Sequence, residues 1–182
     1  TGPDFHWLLV LLALPFISFL FSGYFGKRGP IVATLLVVLN LLLSIYLTVL
    51  HLNDGYQIFR GEWFRIGDYQ FTYSLIIDEL MLLMSIVVNF ISLLVHVFSL
   101  EYMRHDGRIA TYFRYLGLFT FSMMGIVLFY DLLIIFIFWE LMGFCSYSLI
   151  GFYVKKEAAG QASMKAFMTT RVGDVCFLLG IL

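Results

Sequence analysis

Charged residues are scarce in this sequence: Asp, Glu, Lys and Arg make up 13% of the chain, whereas hydrophobic residues make up 62%. A water-soluble domain of 182 residues needs far fewer apolar residues to fill its core, so the composition excludes an ordinary soluble protein. Strand-like alternation is missing from the long apolar runs, which argues against an outer-membrane β-barrel. What remains is a series of apolar runs of about 20 residues, each long enough to cross a bilayer as a helix.

Signatures of soluble-enzyme chemistry are missing as well. The sequence contains no glycine-rich phosphate loop, no Ser-His-Asp set and no Cys/His cluster with metal-ligand spacing. The two cysteines, Cys145 and Cys176, fit no redox motif and are interpreted as packing residues. We therefore expect this chain to contain no complete active site, to bind no cofactor or metal, and to make no contact with nucleic acid.

The apolar runs predict an all-α polytopic fold with about six membrane-spanning helices, in a single transmembrane domain over residues 1–182. The predicted spans are 5–25, 31–51, 77–102, 112–130, 132–153 and 158–182. Little more than Asp131 separates the fourth span from the fifth, which predicts a tight helical hairpin. The longest connection, 52–76, carries three glycines among aromatic and polar residues, and this pattern predicts a short β-hairpin on the membrane surface.

Basic residues in the short loops predict the orientation, because they collect on the cytoplasmic or matrix side of a membrane protein. Those on one side of the predicted spans are Lys27, Arg28, Arg104, Arg108, Lys155 and Lys156. Those on the other side are Arg60 and Arg65, accompanied by Asp54, Glu62 and Asp68. The N-terminus is therefore predicted to face outward, and the first of these two sides is called the inner side below.

Glu140 is a lone carboxylate in the apolar run 132–150, about nine residues from its outer end and on the order of 13 Å deep by helix rise. On a helix, Glu140, Gly143, Tyr147 and Gly151 share one narrow stripe of polar and small residues. Burial favours the neutral acid and a nearby cation favours the carboxylate, so moving a cation would switch the group between holding and releasing a proton. Two interpretations stay open: a proton-transferring residue, or a structural acid fixed in one charge state.

The sixth span carries Lys165, Arg171 and Asp174, a high charge content for one membrane helix. Arg171 and Asp174 are three residues apart and can pair on one face, which is interpreted as a structural role. Lys165 has no acid three or four residues away, so it either snorkels to the inner interface or reaches a carboxylate on another helix. His96, in the third span, either relays protons or donates a hydrogen bond between helices.

Four segments together resemble one family of membrane subunits. They are 90–103, which includes His96, 114–121, 139–152, which begins with Trp139-Glu140, and 165–174, which ends with Arg171-Val-Gly-Asp174. Their order and spacing, from Asp78 onward, are similar to the distal antiporter-like subunit of respiratory complex I, subunit 5 of NADH:ubiquinone oxidoreductase. The first two spans are similar to that family in character only.

In that family a Trp-Glu motif supplies the buried glutamate of a proton channel, and this glutamate corresponds to Glu140. Leu141 and Met142 stand here where the family usually has glycine and valine, and Thr170 stands where it usually has asparagine. The acid is intact in this sequence. The resemblance therefore implies a proton-channel glutamate with altered packing around it.

The resemblance also implies what lies outside this chain. Family members have many more spans, including a broken helix whose buried lysine partners the glutamate, and none of these is present. We therefore expect the chain to be the N-terminal part of a longer antiporter-like helix bundle, with the cationic partner of Glu140 on a separate polypeptide or a continuation. The other expected partners are membrane-arm subunits of complex I and lipids. NADH, FMN, iron–sulfur clusters and ubiquinone are expected in other subunits.

The function that these observations favour is that of a proton-translocating membrane-arm component of complex I, driven by quinone reduction elsewhere. Glu140 is expected to hold and release the proton, and Lys165 to couple to it or to relay protons from the inner side. The supporting residues are Arg171, Asp174, His96 and Tyr147. Two alternatives stay open: a Mrp-type cation/proton antiporter or hydrogenase-linked pump subunit, and a structural split fragment that does not conduct. The expected location is the mitochondrial inner membrane, or alternatively a bacterial inner membrane, with several passes.

Overall fold

A computed structural model of the chain describes residues 3–24, 26–51, 55–67, 69–153 and 157–181. Its helices and strands, in chain order, are α1 (Pro3–Ser22), α2 (Gly29–His51), β1 (Gln57–Ile66), β2 (Tyr69–Ile77), α3 (Glu79–Tyr102), α4 (Ile109–Leu128), α5 (Leu132–Ile150) and α6 (Glu157–Ile181). A short 3-10 turn at Gly26–Arg28 precedes α2. The prediction of an all-α polytopic membrane fold with a small β-hairpin is confirmed.

The helices match the predicted spans closely, and five of them, α1 to α5, are long and apolar enough to cross a membrane. The sixth, α6, is equally long, but its charged residues keep it out of that group within the described part of the chain. Four residues used in the orientation argument lie outside the described residues: Asp54, Asp68, Lys155 and Lys156. The outward orientation of the N-terminus stays a prediction.

Packing joins α1, α2, α3 and α4 into one bundle, in which α1 contacts α2 and α4, and α3 contacts α2 and α4. The crossing of α1 and α4 is close because Gly117 has no side chain: a Cβ there would lie 3.0 Å from the backbone nitrogen of Phe19. On the other side of α4, α5 packs against it, and α6 packs against α5. Glu140 and the charges of α6 therefore lie on the flank of the bundle.

The main hydrophobic core occupies the predicted outer half of the bundle, where α1 and α3 begin, α2 and α4 end, and β2 passes beneath them. Its buried members are Leu8, Leu11, Leu47, Leu75, Ile77, Met81, Leu82, Val88, Met124 and Leu128. Each of these side chains is at least nine-tenths removed from solvent, which stabilises the bundle by roughly 1.5–3 kcal/mol per large apolar side chain. The inner half is more polar, and its buried side chains are described with the site.

The β-hairpin pairs β1 and β2 antiparallel, from Gln57 opposite Ile77 to Ile66 opposite Tyr69. Gly67 lies in the connecting turn with φ +59°, a conformation that favours glycine. The hairpin is fastened to the short connection between α4 and α5. The backbone N–H of Tyr130 donates to the carbonyl of Ser74 at 2.9 Å, and the carboxylate of Asp131 accepts the N–H of Ser74.

The tight hairpin of α4 and α5 is also as predicted, because only Phe129, Tyr130 and Asp131 separate the two helices. Gly125 on α4 gives the Phe138 ring of α5 room to approach, because a Cβ at that glycine would clash with the ring. Phe138 also stacks on Phe129, with 5.4 Å between ring centroids. One face of α5 is therefore locked against α4, and the opposite face is left for α6.

Candidate functional site

Glu140 lies on the face of α5 that meets α6, and its carboxylate forms an ion pair with the guanidinium of Arg171. The Glu140 side chain is 28% exposed and that of Arg171 is 32% exposed, so water screens the pair only in part. Since α5 and α6 run antiparallel, the middle of one helix meets the middle of the other. This geometry holds the carboxylate of Glu140 next to a permanent positive charge.

Asp174 is a second carboxylate beside the same cation. Its Oδ2 lies 3.7 Å from Arg171 Nη1, and its Oδ1 accepts the indole N–H of Trp139 at 3.0 Å. The Asp174 side chain is only 6% exposed. The predicted pairing of Arg171 with Asp174 on one face of the sixth helix is thus present, but it is one half of a larger charge cluster: Trp139, Glu140, Arg171 and Asp174.

The charge cluster contains one cation and two acids. Arginine does not release its proton in proteins, so any proton that is held or released here is carried by Glu140 or Asp174. One of the two acids can take up a proton while the other still neutralises Arg171. The arrangement is therefore chemically able to switch between two protonation states without leaving an unpaired charge.

The structure gives Glu140 a cationic neighbour within this chain, Arg171, in addition to the lysine that the resemblance implies on another polypeptide or a continuation. That lysine stays a prediction. The sequence spacing pairs Arg171 with Asp174 alone, because both stand on one helix three residues apart. The antiparallel packing of α5 and α6, which spacing along one helix does not reveal, brings Arg171 alongside Glu140 as well. The structure therefore supplies a cation from within this chain.

The stripe of small and polar residues predicted on the fifth span does face α6. Below the ion pair, the Tyr147 ring packs against the Phe167 ring, with 5.2 Å between centroids. Further along, Gly151 lies against Ser163, whose Oγ would be 3.0 Å from a Cβ at that glycine. Gly143 is the exception, since a Cβ there would meet no atom within 4 Å. The stripe is thus a real helix contact with a gap one turn below Glu140.

Phe167 connects the upper and lower parts of this contact. Its ring lies under the guanidinium of Arg171, with 4.6 Å from Cζ to the ring centroid, while it also touches Tyr147. A cation over an aromatic face contributes about 0.5–2 kcal/mol, depending on how far it is desolvated. Phe167 therefore helps to hold Arg171 in its place beside Glu140.

A cleft of about 460 Å³ opens at the predicted inner ends of α4, α5 and α6. The polar and small residues among its lining are Arg108, Thr111, Tyr115, Tyr147, Ser148, Gly151, Gly160 and Ser163. We call it the inner cleft. Its mouth is held by Arg108, whose guanidinium donates to the carbonyl of Phe152 at 3.1 Å and lies 4.7 Å from the Phe152 ring centroid.

A second cleft, of about 530 Å³, lies on the other side of the charge cluster. Its lining residues are Trp139, Thr169, Thr170, Gly173, Asp174 and Phe177. Thr170, one of the positions where the sequence departs from the family pattern, thus borders the charge cluster directly. An open cleft therefore borders Asp174 on this side, and the inner cleft approaches the cluster through Tyr147.

Lys165 is not brought to Glu140. Its side chain is exposed, and no carboxylate of residues 157–181 or of the other described ranges lies within ion-pair distance of it. By helix rise it lies about 9 Å from Arg171 toward the inner end of α6. The first of the two sequence interpretations, a side chain that extends toward the inner interface, fits this position better.

His96 lies on the other side of α4, away from Glu140. The ring is fully buried, its Nδ1 is 2.8 Å from the carbonyl of Ser92, and it meets Phe113 edge to face. A carbonyl only accepts, so Nδ1 carries the proton. Ser92 in turn contacts Thr120 of α4 at 2.7 Å. The histidine thus bonds to its own helix, and its neighbour Ser92 makes a polar contact between α3 and α4.

The sequence analysis did not predict a cluster of three buried polar side chains between α2 and α3. Asn40 on α2 donates its side-chain amide to Asn89 on α3 at 2.8 Å, and Asn89 donates to Ser44 at 2.9 Å. All three side chains are almost completely buried. Asparagines in two apolar spans were the available signal, because a buried amide in a membrane needs a partner. No hydrogen bond among the described residues connects this group to the charge cluster, and the group holds α2 to α3.

Two family models match the chain. One, described as NADH-ubiquinone oxidoreductase (complex I) chain 5 N-terminus, matches residues 63–113, and the other, NADH:quinone oxidoreductase/Mrp antiporter transmembrane region, matches residues 130–182. The second match contains the whole charge cluster. Within the described residues no group of three or more His, Cys, Asp or Glu side chains is arranged to hold a metal ion.

Similar proteins include F(420)H(2) dehydrogenase subunit L of Methanosarcina mazei, 37% identical over 98% of this chain and 27% of that protein. NADH-quinone oxidoreductase subunit L of Rickettsia typhi is 36% identical over 96% of this chain and 28% of that protein. NADH-ubiquinone oxidoreductase chain 5 of Phytophthora infestans is 35% identical over 96% of this chain and 27% of that protein. The chain thus spans little more than a quarter of the length of these relatives.

Two solved structures share the fold. The membrane-bound sulfane sulfur reductase, an archaeal respiratory membrane complex, contains a chain that superposes with a TM-score of 0.81 at 21% identity, covering 95% of this chain and 36% of that one. The Mrp complex from Dietzia sp. contains one that superposes with a TM-score of 0.74 at 22% identity, covering 95% of this chain and 18% of that one. Both matches cover nearly all of the present chain.

Proposed function

The chain belongs to the family of antiporter-like membrane subunits that includes NADH-quinone oxidoreductase subunit L and chain 5, and we propose that it is a proton-translocating component of the membrane arm of complex I. The observation that carries the proposal is the sharing of Arg171 between two carboxylates, Glu140 and Asp174. Glu140 is the residue that takes up and releases the proton.

The mechanism follows from where the positive charge lies. With Arg171 against Glu140, the carboxylate is the favoured form of the acid, and a proton on it is released. When Arg171 moves toward Asp174, which the indole of Trp139 holds in place, Glu140 loses its counter-ion and takes up a proton instead. Each cycle of the arginine between the two acids loads and unloads Glu140 once.

The energy for moving Arg171 comes from outside this chain. Quinone reduction takes place in other subunits, which carry NADH, FMN, iron–sulfur clusters and ubiquinone, and rearrangement of charge in neighbouring membrane-arm subunits reaches the charge cluster. The missing helices of the bundle, on a continuation or a separate chain, complete the path. The proposed location is the mitochondrial or bacterial inner membrane, where the protein crosses the bilayer several times.

Lys165 and His96 take different parts in this proposal. Lys165, exposed on the inner half of α6, relays protons near the inner interface rather than pairing with Glu140. His96 supports the packing of α3 on α4. Tyr147 supports the site from below, through its contact with Phe167.

Replacing Glu140 by Gln in the assembled complex tests the proposal. Glutamine keeps the size of the side chain and removes its titratable proton. We expect quinone reduction to continue while the number of protons moved per electron falls, measured in sealed membrane vesicles. Replacing the exposed Glu101 by Gln is the matched control, because that acid pairs only with Arg104 at the inner surface of the described structure. Unchanged proton movement in the Glu140→Gln complex would refute the proposal.

A Mrp-type cation/proton antiporter is the second candidate, since the family model that covers the charge cluster describes Mrp antiporters along with complex I. The same switch at Glu140 would then be driven by a cation gradient instead of electron transfer. Isolating the chain with its neighbours separates the two: redox subunits support complex I, and cation-dependent proton movement without them supports an antiporter.

A further inference from the structure

The inner cleft and Glu140 are joined by an unbroken series of side-chain contacts. Tyr147 lines the cleft, its ring meets that of Phe167 at 5.2 Å, the Phe167 ring lies 4.6 Å from the Arg171 guanidinium, and Arg171 forms the ion pair with Glu140. Three members of this series, Tyr147, Arg171 and Glu140, carry polar groups. Phe167 is the one member with neither a donor nor an acceptor.

The polar members below Phe167 are suited to passing protons. The hydroxyl of Tyr147 both donates and accepts, and the hydroxyls of Ser148 and Ser163 border the same cleft. Aromatic side chains on a helix lean toward its N-terminus, and for Tyr147 this is the direction of Glu140. The distance along the α5 axis between the two residues is about 10 Å, and Gly143, which lies between them, adds no side chain to that stretch.

We propose that the inner cleft is the vestibule through which protons reach Glu140 from the inner side, and that Phe167 is the gate that closes it. This inference rests on the proposed function of Glu140. A phenyl ring does not relay protons, so the route is interrupted while Phe167 lies between Tyr147 and Arg171. Arg171 holds the ring there as long as it is paired with Glu140.

The same movement of Arg171 then has two effects. When the guanidinium shifts toward Asp174, Glu140 becomes able to take up a proton, and Phe167 loses the cation that held its ring in place. Water from the cleft then connects the Tyr147 hydroxyl with the Glu140 carboxylate. In this transfer each oxygen along the route gains one proton and gives up another, so Glu140 alone changes its protonation state.

The first experiment measures whether Phe167 is a barrier. The assembled complex in sealed membrane vesicles carries Phe167→Ala, with Phe167→Leu as the variant that keeps an apolar plug. Phe136→Ala is the matched control, because Phe136 makes a similar ring contact with Phe177, at 5.7 Å, on the outer part of the same helix pair. We expect Phe167→Ala to lower the protons moved per electron and to raise passive proton leak. Phe167→Leu, which keeps an apolar plug but loses the aromatic contact with Arg171, should keep the leak low, and Phe136→Ala should keep both quantities near the parent values.

A leak in Phe167→Ala that disappears when Glu140→Gln is added would show that the gated route leads to Glu140. Tight coupling in Phe167→Ala, with the complex assembled and reducing quinone, would overturn the inference. A leak that persists in the double variant would overturn it as well, because the protons would then bypass Glu140.

The second experiment tests the cleft independently of pumping. In a background with Cys145 and Cys176 replaced by Ala, Ser148→Cys is exposed to a membrane-impermeant thiol reagent from either side. We expect labelling from the inner side alone. Phe98→Cys is the control at comparable depth, since Phe98 is an exposed apolar residue on α3 about four residues from its inner end, and Ser148 is about two residues from the inner end of α5. Labelling from the outer side, or no labelling of Ser148→Cys, would overturn the vestibule even if Glu140→Gln abolishes proton movement.

Discussion

Trp139 donates its indole N–H to Asp174 at 3.0 Å, and Trp139 is the residue directly before Glu140. The hydrogen bond thus ties the second acid of the charge cluster to the helix that carries the first. Asp174 keeps its position through a bond that does not depend on Arg171. The arginine is therefore the component of the cluster that is free to change partners.

Replacing Trp139 by Phe is expected to weaken the cluster while keeping the ring. The Asp174 carboxylate would lose a donor in a buried place, which costs about 1–3 kcal/mol, and would draw Arg171 more strongly away from Glu140. We expect a lower thermal midpoint of the purified complex and fewer protons moved per electron. Trp7→Phe is the control, because Trp7 is an exposed indole on α1, and equal losses in the two variants would contradict this role.

Replacing Arg171 is expected to impair stability and pumping more than replacing Trp139. Arg171→Gln leaves two acids without a counter-ion, and breaking a buried pair from one side costs about 3–5 kcal/mol when burial is complete, less here because the pair is part-exposed. We expect Glu140 to become protonated, seen as a new carboxylic-acid band in infrared difference spectra. Arg171→Lys should restore assembly but not full pumping, since a compact ammonium serves two carboxylates less well than a planar guanidinium. Full pumping by Arg171→Gln would contradict the switch.

The asparagine pair between α2 and α3 is expected to act on stability alone. Asn89→Leu leaves the amide of Asn40 without its acceptor, and hydrogen bonds between membrane helices contribute on the order of 1 kcal/mol. The double variant Asn40→Leu with Asn89→Leu should recover part of the loss, because no donor is then left unpaired. Thermal unfolding in detergent measures both, and Thr34→Val, which alters a bond within α2, is the control. An additive loss in the double variant would argue against the pairing.

The link between the β-hairpin and the α4–α5 connection is expected to depend on the charge of Asp131. Asp131→Asn keeps the shape of the side chain but weakens its bond to the Ser74 N–H, since hydrogen bonds to charged acceptors are roughly twice as strong as neutral ones. We expect faster hydrogen exchange of the β2 amides. Glu62→Gln, an exposed acid on β1, should leave exchange unchanged. Similar exchange in Asp131→Asn and the parent protein would exclude this anchoring role.

Much of this architecture can be predicted from the sequence, because membrane-spanning helices are recognised by their length and their apolar composition. The helices, the tight turn at Asp131 and the glycine-marked β-hairpin follow from such local signals. The contacts between helices do not follow from such local signals. Arg171 has an acid on its own helix within reach, so nothing in the spacing pointed to Glu140, and the antiparallel packing of α5 and α6 decided the matter.

The helix contacts that local signals do not predict also explain the other differences between the sequence analysis and the structure. Asn40 and Asn89 are 49 residues apart, so their pairing depends on how α2 and α3 are rotated against each other. Lys165 and Arg171 are both cations on α6, and the rotation of that helix decides which of them meets α5. The position of each charge around its helix, rather than its position along the sequence, thus separates the residue in the cluster from the residue outside it.

Both ends of α5 are fastened to the bundle: Asp131 holds the outer end to the β-hairpin, and Arg108 holds the inner end through the Phe152 carbonyl. A helix anchored at two points cannot slide along the membrane normal or rock about one end without breaking a charged hydrogen bond. In the proposed cycle Glu140 stays at constant depth, and the electrical work is set by how far protons and the arginine travel to and from that fixed level.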